Sequence, residues 1–188
     1  GACERIQQYL SMNDSTLHYL VHAAGVGDPQ ASALTSDPEA MQRSLAVNVT
    51  GSLALTQKIL PVLRQTGGHS RIMFVGAGID ENIQPGTGPY GVSKMALKRL
   101  FRQLVADQAH CASPNDPAIA LLQPGMVDTP GLRQHTAQAE HLALPHAAFL
   151  REALTAERAP TAKDIAPRIV ELLCAEKRDA FHAQEIHL

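Results

Sequence analysis

The sequence predicts an α/β fold, a parallel β-sheet with helices on both faces. Three observations carry this. Short, largely apolar runs recur along the chain, each halted by Gly or Pro. Segments of helical length, with apolar residues every three or four positions, separate them. At 188 residues, with 45% apolar and 18% charged residues, the chain has the size and composition of one domain able to bury a core.

The elements follow in order. Leu17 to Val21 is expected to be a buried parallel strand ending at Ala23-Ala24-Gly25. Asp37-Pro38-Glu39 is a helix start, with Asp as N-cap and Pro in the first turn. One helix or a pair then runs to about Gln65 and stops at Thr66-Gly67-Gly68. Arg71 to Val75 is the second strand, ending at Gly76-Ala77-Gly78. From Pro89 to about His110, Leu97, Leu100, Phe101, Leu104 and Val105 make the stripe of a packed helix. Lys98, Arg99 and Arg102 interrupt it and are expected on a partly solvated face. Ala118 to Leu122 is a third strand, ending at Pro124-Gly125. Pro130 to Pro160 is expected to be a lid over the site. Thr161-x-x-Asp164 resembles a capping box opening a helix to about Ala175, and Ala183 to Leu188 closes the sheet. Strands alternating with helices imply parallel pairing with right-handed crossovers. In such sheets ligands bind beyond the carboxyl ends of the strands: here at 23–25, 76–78 and 124–129.

Composition excludes several functions. A net charge of −2 leaves no footprint for nucleic acid or anionic lipid. No apolar run approaches the roughly 18 residues of a membrane span, and no signal peptide opens the chain. Cys3, Cys111 and Cys174 form no CxxC pair, so they are expected to be reduced, in a cytoplasmic protein without a zinc site or disulfide framework. His18 and His22 are four apart, but on a strand that spacing does not converge two imidazoles, and no metal site is expected.

Tyr90 and Lys94 are the strongest chemical pair. On a helix they share a face, about 5–6 Å apart at Cβ. An ammonium beside a phenol lowers its pKa from about 10, and such a phenol can exchange a proton with a carbonyl or alcohol. His22 is expected to pack, with a bond to a cofactor as the alternative. His135, His141 and His146 are expected to be solvent-exposed, and Met73 and Met95 to belong to the core. Gly86-Thr87-Gly88-Pro89-Tyr90-Gly91 spells G-x-G-x-x-G but does not directly follow a strand, so it is not read as a dinucleotide fingerprint.

Four motifs stand in register from Leu17 to Leu188: His22-Ala23-Ala24-Gly25, Asn48, the Tyr90/Lys94 pair in PYGVSKMAL, and QPGMVDTP. Together they resemble the short-chain dehydrogenase/reductase family, whose own strand-end motif is Asn-Asn-Ala-Gly. The resemblance implies the C-terminal part of a doubly wound, Rossmann-type sheet, and hydride transfer between NAD or NADP and a small carbonyl or alcohol substrate. Tyr90 would be the general acid/base. Lys94 would tune it and, with it, meet the nicotinamide ribose. Asn48 would order a water in a proton relay to Lys94. Ala23, Ala24 and Gly25 would pack along the cofactor's adenosine side. Pro124, Gly125, Val127 and Thr129 would lie at the nicotinamide, the last two holding its carboxamide. Helices 48–64 and 90–110 would pair across a homo-oligomer. Asn48-Val49-Thr50 also spells a glycosylation sequon, a reading set aside because Asn48 is expected to face the site.

Two departures stand against that pattern. The family places a serine thirteen residues before the tyrosine to hold the substrate oxygen. Ala77 stands there, with Asp80, Asn82 or a lid residue as substitute donors. The glycine-rich turn that meets the pyrophosphate has no counterpart before Leu17. The chain opens on Gly1 rather than Met, and is expected to be processed or a piece of something longer. Alone it is expected to be inactive, with no measurable dinucleotide affinity. The alternative is a non-catalytic scaffold or interaction protein on the same fold.

Overall fold

The computed structural model describes residues 2–13, 15–27, 30–111, 113–175 and 177–188, and of Ala2 and Cys3 the backbone alone. Gly1 lies outside them. Four parallel strands form one sheet in the order β1 (Tyr19–His22), β2 (Arg71–Val75), β3 (Ala118–Gln123), β4 (Glu185–His187). The register pairs Tyr19 with Arg71, Arg71 with Ala118 and Leu121 with Glu185.

The crossovers are helical, as expected. α2 (Pro38–Leu45), α3 (Ser52–Leu63) and a six-residue π-wound segment between them (Ala46–Gly51) join β1 to β2. α4 (Gly88–His110) joins β2 to β3. After β3 come α5 (Pro130–His141), α6 (Ala147–Thr155) and α7 (Ala162–Cys174). Two start signals act as the sequence predicts. Asp37 accepts from the Glu39 N–H, and Thr161 and Asp164 close a capping box. A further helix, α1 (Ala2–Met12), precedes β1 and packs on α3, where Gln7 reaches the Lys58 carbonyl; the sequence reading assigned nothing there.

Alternation along β2 and β3 explains why both sheet faces are covered. Ile72, Phe74, Ile119 and Leu121 point to one face and pack with Ile59, Leu63, Leu97 and Phe101 of α3 and α4. Met73, Ala118, Ala120 and Leu122 point to the other, against Leu173 of α7 and Phe181. A strand buried on both faces needs no polar alternation.

Three expectations are corrected. β1 is not a buried strand: it stands at the sheet edge, and Tyr19 and Val21 are more than 40% exposed. Met95 is exposed rather than core, although Met73 is fully buried. Lys98 does not lie on a solvated face. It is 2% exposed, held by carboxylates that the loop after β2 and strand β4 bring to it.

Arg71, at the start of β2, is buried. Its guanidinium donates to the Leu172 and Leu173 carbonyls at 3.0 and 2.8 Å and to that of Ala175, capping α7. Cys111 and Cys174 are free and exposed; the Cys3 side chain lies outside those described. Among the described residues no helix is long and apolar enough to cross a membrane.

Candidate active site

The site forms where the carboxyl ends of β1 and β2 meet α4. The chain leaves β1 through Ala23, Ala24, Gly25 and Val26, all exposed. Asn48 faces this loop from the π-wound segment, where one extra residue per turn lets the helix rotate a side chain out of register. Its Oδ1 accepts from the Val26 N–H at 2.8 Å, and its Nδ2 donates to the Val26 carbonyl at 2.9 Å and the Ser93 hydroxyl at 2.8 Å. Ser93 in turn donates to the Tyr90 carbonyl at 2.8 Å. Asn48 is 1% exposed with its amide committed, which excludes it as a glycosylation acceptor.

Lys94 is buried, and its ammonium donates to the Val75 carbonyl at 2.8 Å. It lies 5.7 Å from the centre of the Tyr90 ring. A Cβ on Gly25 would come within 3.4 Å of Asn48 Oδ1 and 3.5 Å of Lys94 Nζ, and one on Gly27 within 3.4 Å of the Tyr90 ring. The loop after β1 thus runs directly alongside Asn48, Lys94 and Tyr90. Burial lowers the Lys94 pKa to about 8, against the pull of the Asp80 charge. Burial also raises that of Tyr90. The expected lowering of the phenol by Lys94 is therefore corrected: the ammonium bonds to a backbone carbonyl, and desolvation of the phenol decides the sign.

Ala77 sits half-buried in extended backbone (φ −162°, ψ 140°) at the head of the turn after β2. Asp80 does not stand in for the absent serine hydroxyl. It is turned inward, accepting from Gln123 Nε2 at 3.1 Å and lying 3.5 Å from the Lys98 ammonium. Asn82 accepts from Gln84.

Beyond β3, Pro124 and Gly125 (φ +71°) line a cavity of about 280 Å³ together with Met126, Pro160 and Arg168. Val127 is half-buried. Asp128 grips Arg133 through two bonds. Thr129 caps α5, its hydroxyl oxygen accepting from the Leu132 N–H at 3.1 Å, which leaves its proton to donate.

His22 packs. Its Nε2 meets the Thr56 hydroxyl at 2.8 Å, its ring stacks on Phe74, and burial holds its pKa near 4. His141 is exposed as expected, but His135 is half-buried and His146 buried, their rings 5.8 Å apart. The interhelical core around Ala139, Ala147 and Leu150 draws them in.

Ser93, Gln30 and the Asp80–Lys98 pair escaped the sequence reading. Ser93 carried a signal, one turn from Tyr90 in PYGVSKMAL. Gln30, buried, donates to the His135 carbonyl at 2.6 Å and ties the loop after β1 to α5. Gly86 (φ +80°) lies under Leu144, which a Cβ would meet at 2.6 Å, so the approach to α4 also packs against the 130–160 segment.

All 188 residues match the family model described as Enoyl-(Acyl carrier protein) reductase. The chain belongs to the short-chain dehydrogenase/reductase family. It is 28% identical over 167 residues to the mouse Dehydrogenase/reductase SDR family member 4, covering 89% of this chain and 56% of that protein. It is 33% identical over 136 residues to human 11-beta-hydroxysteroid dehydrogenase type 2, covering 71% of this chain and 32% of that one. The crystal structure of a short chain dehydrogenase/reductase from Saccharomyces cerevisiae superposes with a TM-score of 0.86 at 18% identity, over 99% of this chain and 71% of that one. The fold is that of the family, a Rossmann-type α/β sheet. The chain spans about half the length of the family member 4 relatives from mouse and pig.

Proposed function

We propose that this short-chain dehydrogenase/reductase carries the proton-handling half of an NAD- or NADP-dependent oxidoreductase acting on a small carbonyl or alcohol. The observation that carries the reading is the convergence of Tyr90, Lys94 and Asn48 on the loop after β1, at Gly25, Val26 and Gly27. A buried ammonium and a phenol beside a glycine-containing loop suit the ribose and nicotinamide end of a dinucleotide. Structures of short-chain dehydrogenases with NADPH or NADP, and of a 3-ketoacyl-(acyl-carrier-protein) reductase with NADH, share the fold.

When bound, the nicotinamide supplies or accepts the hydride. Lys94 and Tyr90 would meet its ribose, Ala23, Ala24 and Gly25 would pack toward the adenosine side, and Pro124, Gly125, Val127 and Thr129 would border the nicotinamide. Tyr90, protonated at neutral pH because burial raises its pKa, donates its proton to the carbonyl oxygen during reduction. The Lys94 ammonium stabilises the phenolate that remains. Asn48 holds the loop after β1 in place for this. The segment 130–160 serves as the lid. Exposed Val92 and Met95 on helix 90–110 support its pairing, with helix 48–64, across a homo-oligomer. The free cysteines support a cytoplasmic location.

The second reading, a non-catalytic scaffold, is favoured by the methyl group of Ala77 at the serine position. Calorimetric titration of the protein at its full native length with NADPH and NADH separates the two. Binding of either is the expected result; binding of neither leaves the scaffold. The 188 residues alone, without a pyrophosphate turn, are expected to bind neither.

A further inference from the structure

The chain leaves the sheet at Asp128 and returns beside its own starting point at Thr161. These two residues form a parallel bridge, and the Asp128 N–H donates to the Pro160 carbonyl at 2.8 Å. Between those ends α5 and α6 pack chiefly on each other. Their shared core is Ala139, Ala147 and Leu150, with Met126, Leu132 and Leu144 at its margin, and it is separate from the two cores that cover the sheet faces. A unit with a pinned neck and a core of its own can swing without unfolding. Two contacts away from the neck join it to the rest of the chain. Gln30 Nε2 donates to the His135 carbonyl at 2.6 Å and lies 3.5 Å from Gln138 Oε1. Leu144 covers Gly86, where a Cβ would meet it at 2.6 Å. Both contacts fall on segments that flank Tyr90. Gly27, just before Gln30 in sequence, abuts the Tyr90 ring, and Gly86 stands one turn's length ahead of Tyr90. The bridge between Ala31 and Thr87 joins the two segments.

We infer that Gln30 is a positioning residue: it latches the α5–α6 unit against the loops that flank Tyr90, and α5 and α6 open and close as one body about the neck at Asp128 and Thr161. The inference rests on the reading of 130–160 as the lid of the proposed site, and names the bond that shuts it. The balance of closure explains why one bond matters. Closure leaves Gln30 Oε1 and both ring nitrogens of His146 buried without a partner among the described residues. Buried polar groups left unpaired oppose closure. The apolar contact of Leu144 with Gly86 favours it but has little direction. The Gln30 bond has direction, and it reaches a backbone carbonyl in the middle of α5, so it fixes which turn of the helix stands beside the loop after β1.

The test is hydrogen exchange in the cofactor-free protein at its full native length, read over 130–158 and over β2 and β3. Gln30→Met keeps the length of the side chain and removes the donor. Exchange across α5 and α6 should rise together, by roughly three- to tenfold, the worth of one such bond, while β2 and β3 stay as they are. Unchanged exchange overturns the inference, as does a rise confined to α5 or one shared equally with β2 and β3. The second readout is the NMR signal of the Gln30 side-chain amide, assigned through the bonds to its own backbone. Leu144→Ala weakens the other contact without touching Gln30. The Gln30 Nε2 protons should then exchange with water faster, by the same factor as α5 and α6. Should they stay protected while α5 and α6 open, Gln30 is no latch and the inference falls. If either variant fails to fold, the readout of the other decides. No dinucleotide is present, so a protein that binds no NADPH can still pass this test, and one that binds NADPH can still fail it.

Discussion

Asn48 and Ser93 meet at 2.8 Å, joining the π-wound segment of one crossover to the helix of the next. Through Val26 the same amide holds the loop after β1. Asn48→Ala leaves the fully buried Ser93 hydroxyl without this donor. The loss should cost about 1–3 kcal/mol and lower the melting temperature by roughly 2–12 °C. A melting curve that superposes on the native one would show that the bond contributes nothing.

His22 makes the fold acid-sensitive. Its pKa lies near 4 in the folded chain, against 6.5 ordinarily. The unfolded chain therefore binds the extra proton first, and stability present above pH 6.5 is lost as pH falls towards 4. The shift corresponds to about 3 kcal/mol. His22→Gln keeps a partner for Thr56 but does not titrate. Denaturant unfolding at pH 7 and pH 4.5 should show a smaller acid loss in the variant, and equal losses would remove His22 as a cause.

Tyr90 should ionise above the ordinary phenol value of about 10, because burial raises it. The check is the difference in ultraviolet absorbance between the native chain and Tyr90→Phe as pH is raised. A difference transition below pH 9 contradicts the geometry of a Lys94 bonded to Val75.

Ala77→Ser restores a donor to the oxygen on which charge develops. In the full-length protein, turnover of a carbonyl probe should rise by about 100- to 1000-fold, the usual worth of one such donor. Unchanged turnover, with the variant folded, means that another group already fills the role.

Much of this could be read in advance, because local chemistry dictates it. Glycine and proline stop each strand, Asp37 and Thr161 mark helix starts, and spacing by four puts Tyr90 and Lys94 on one face. What escaped depends on neighbours distant in sequence. Lys98 looks like any helix-surface lysine until the turn after β2 and strand β4 bring Asp80, Glu81 and Glu185 to it. The phenol's pKa follows from how deeply Tyr90 is buried and from where the Lys94 ammonium finds its partner, and spacing does not encode either.

Every ladder in the sheet is parallel, and this shapes how the chain must be made. Each ladder joins residues 47 to 64 positions apart, so none closes locally and folding is slow for the chain's size. At about 5–20 residues per second, several seconds of synthesis separate the emergence of β1 from that of β2. Throughout that interval Tyr19, Leu20 and Val21, a short apolar segment, lack the partner that β2 supplies. A chaperone that binds such segments competes there with other copies of the chain.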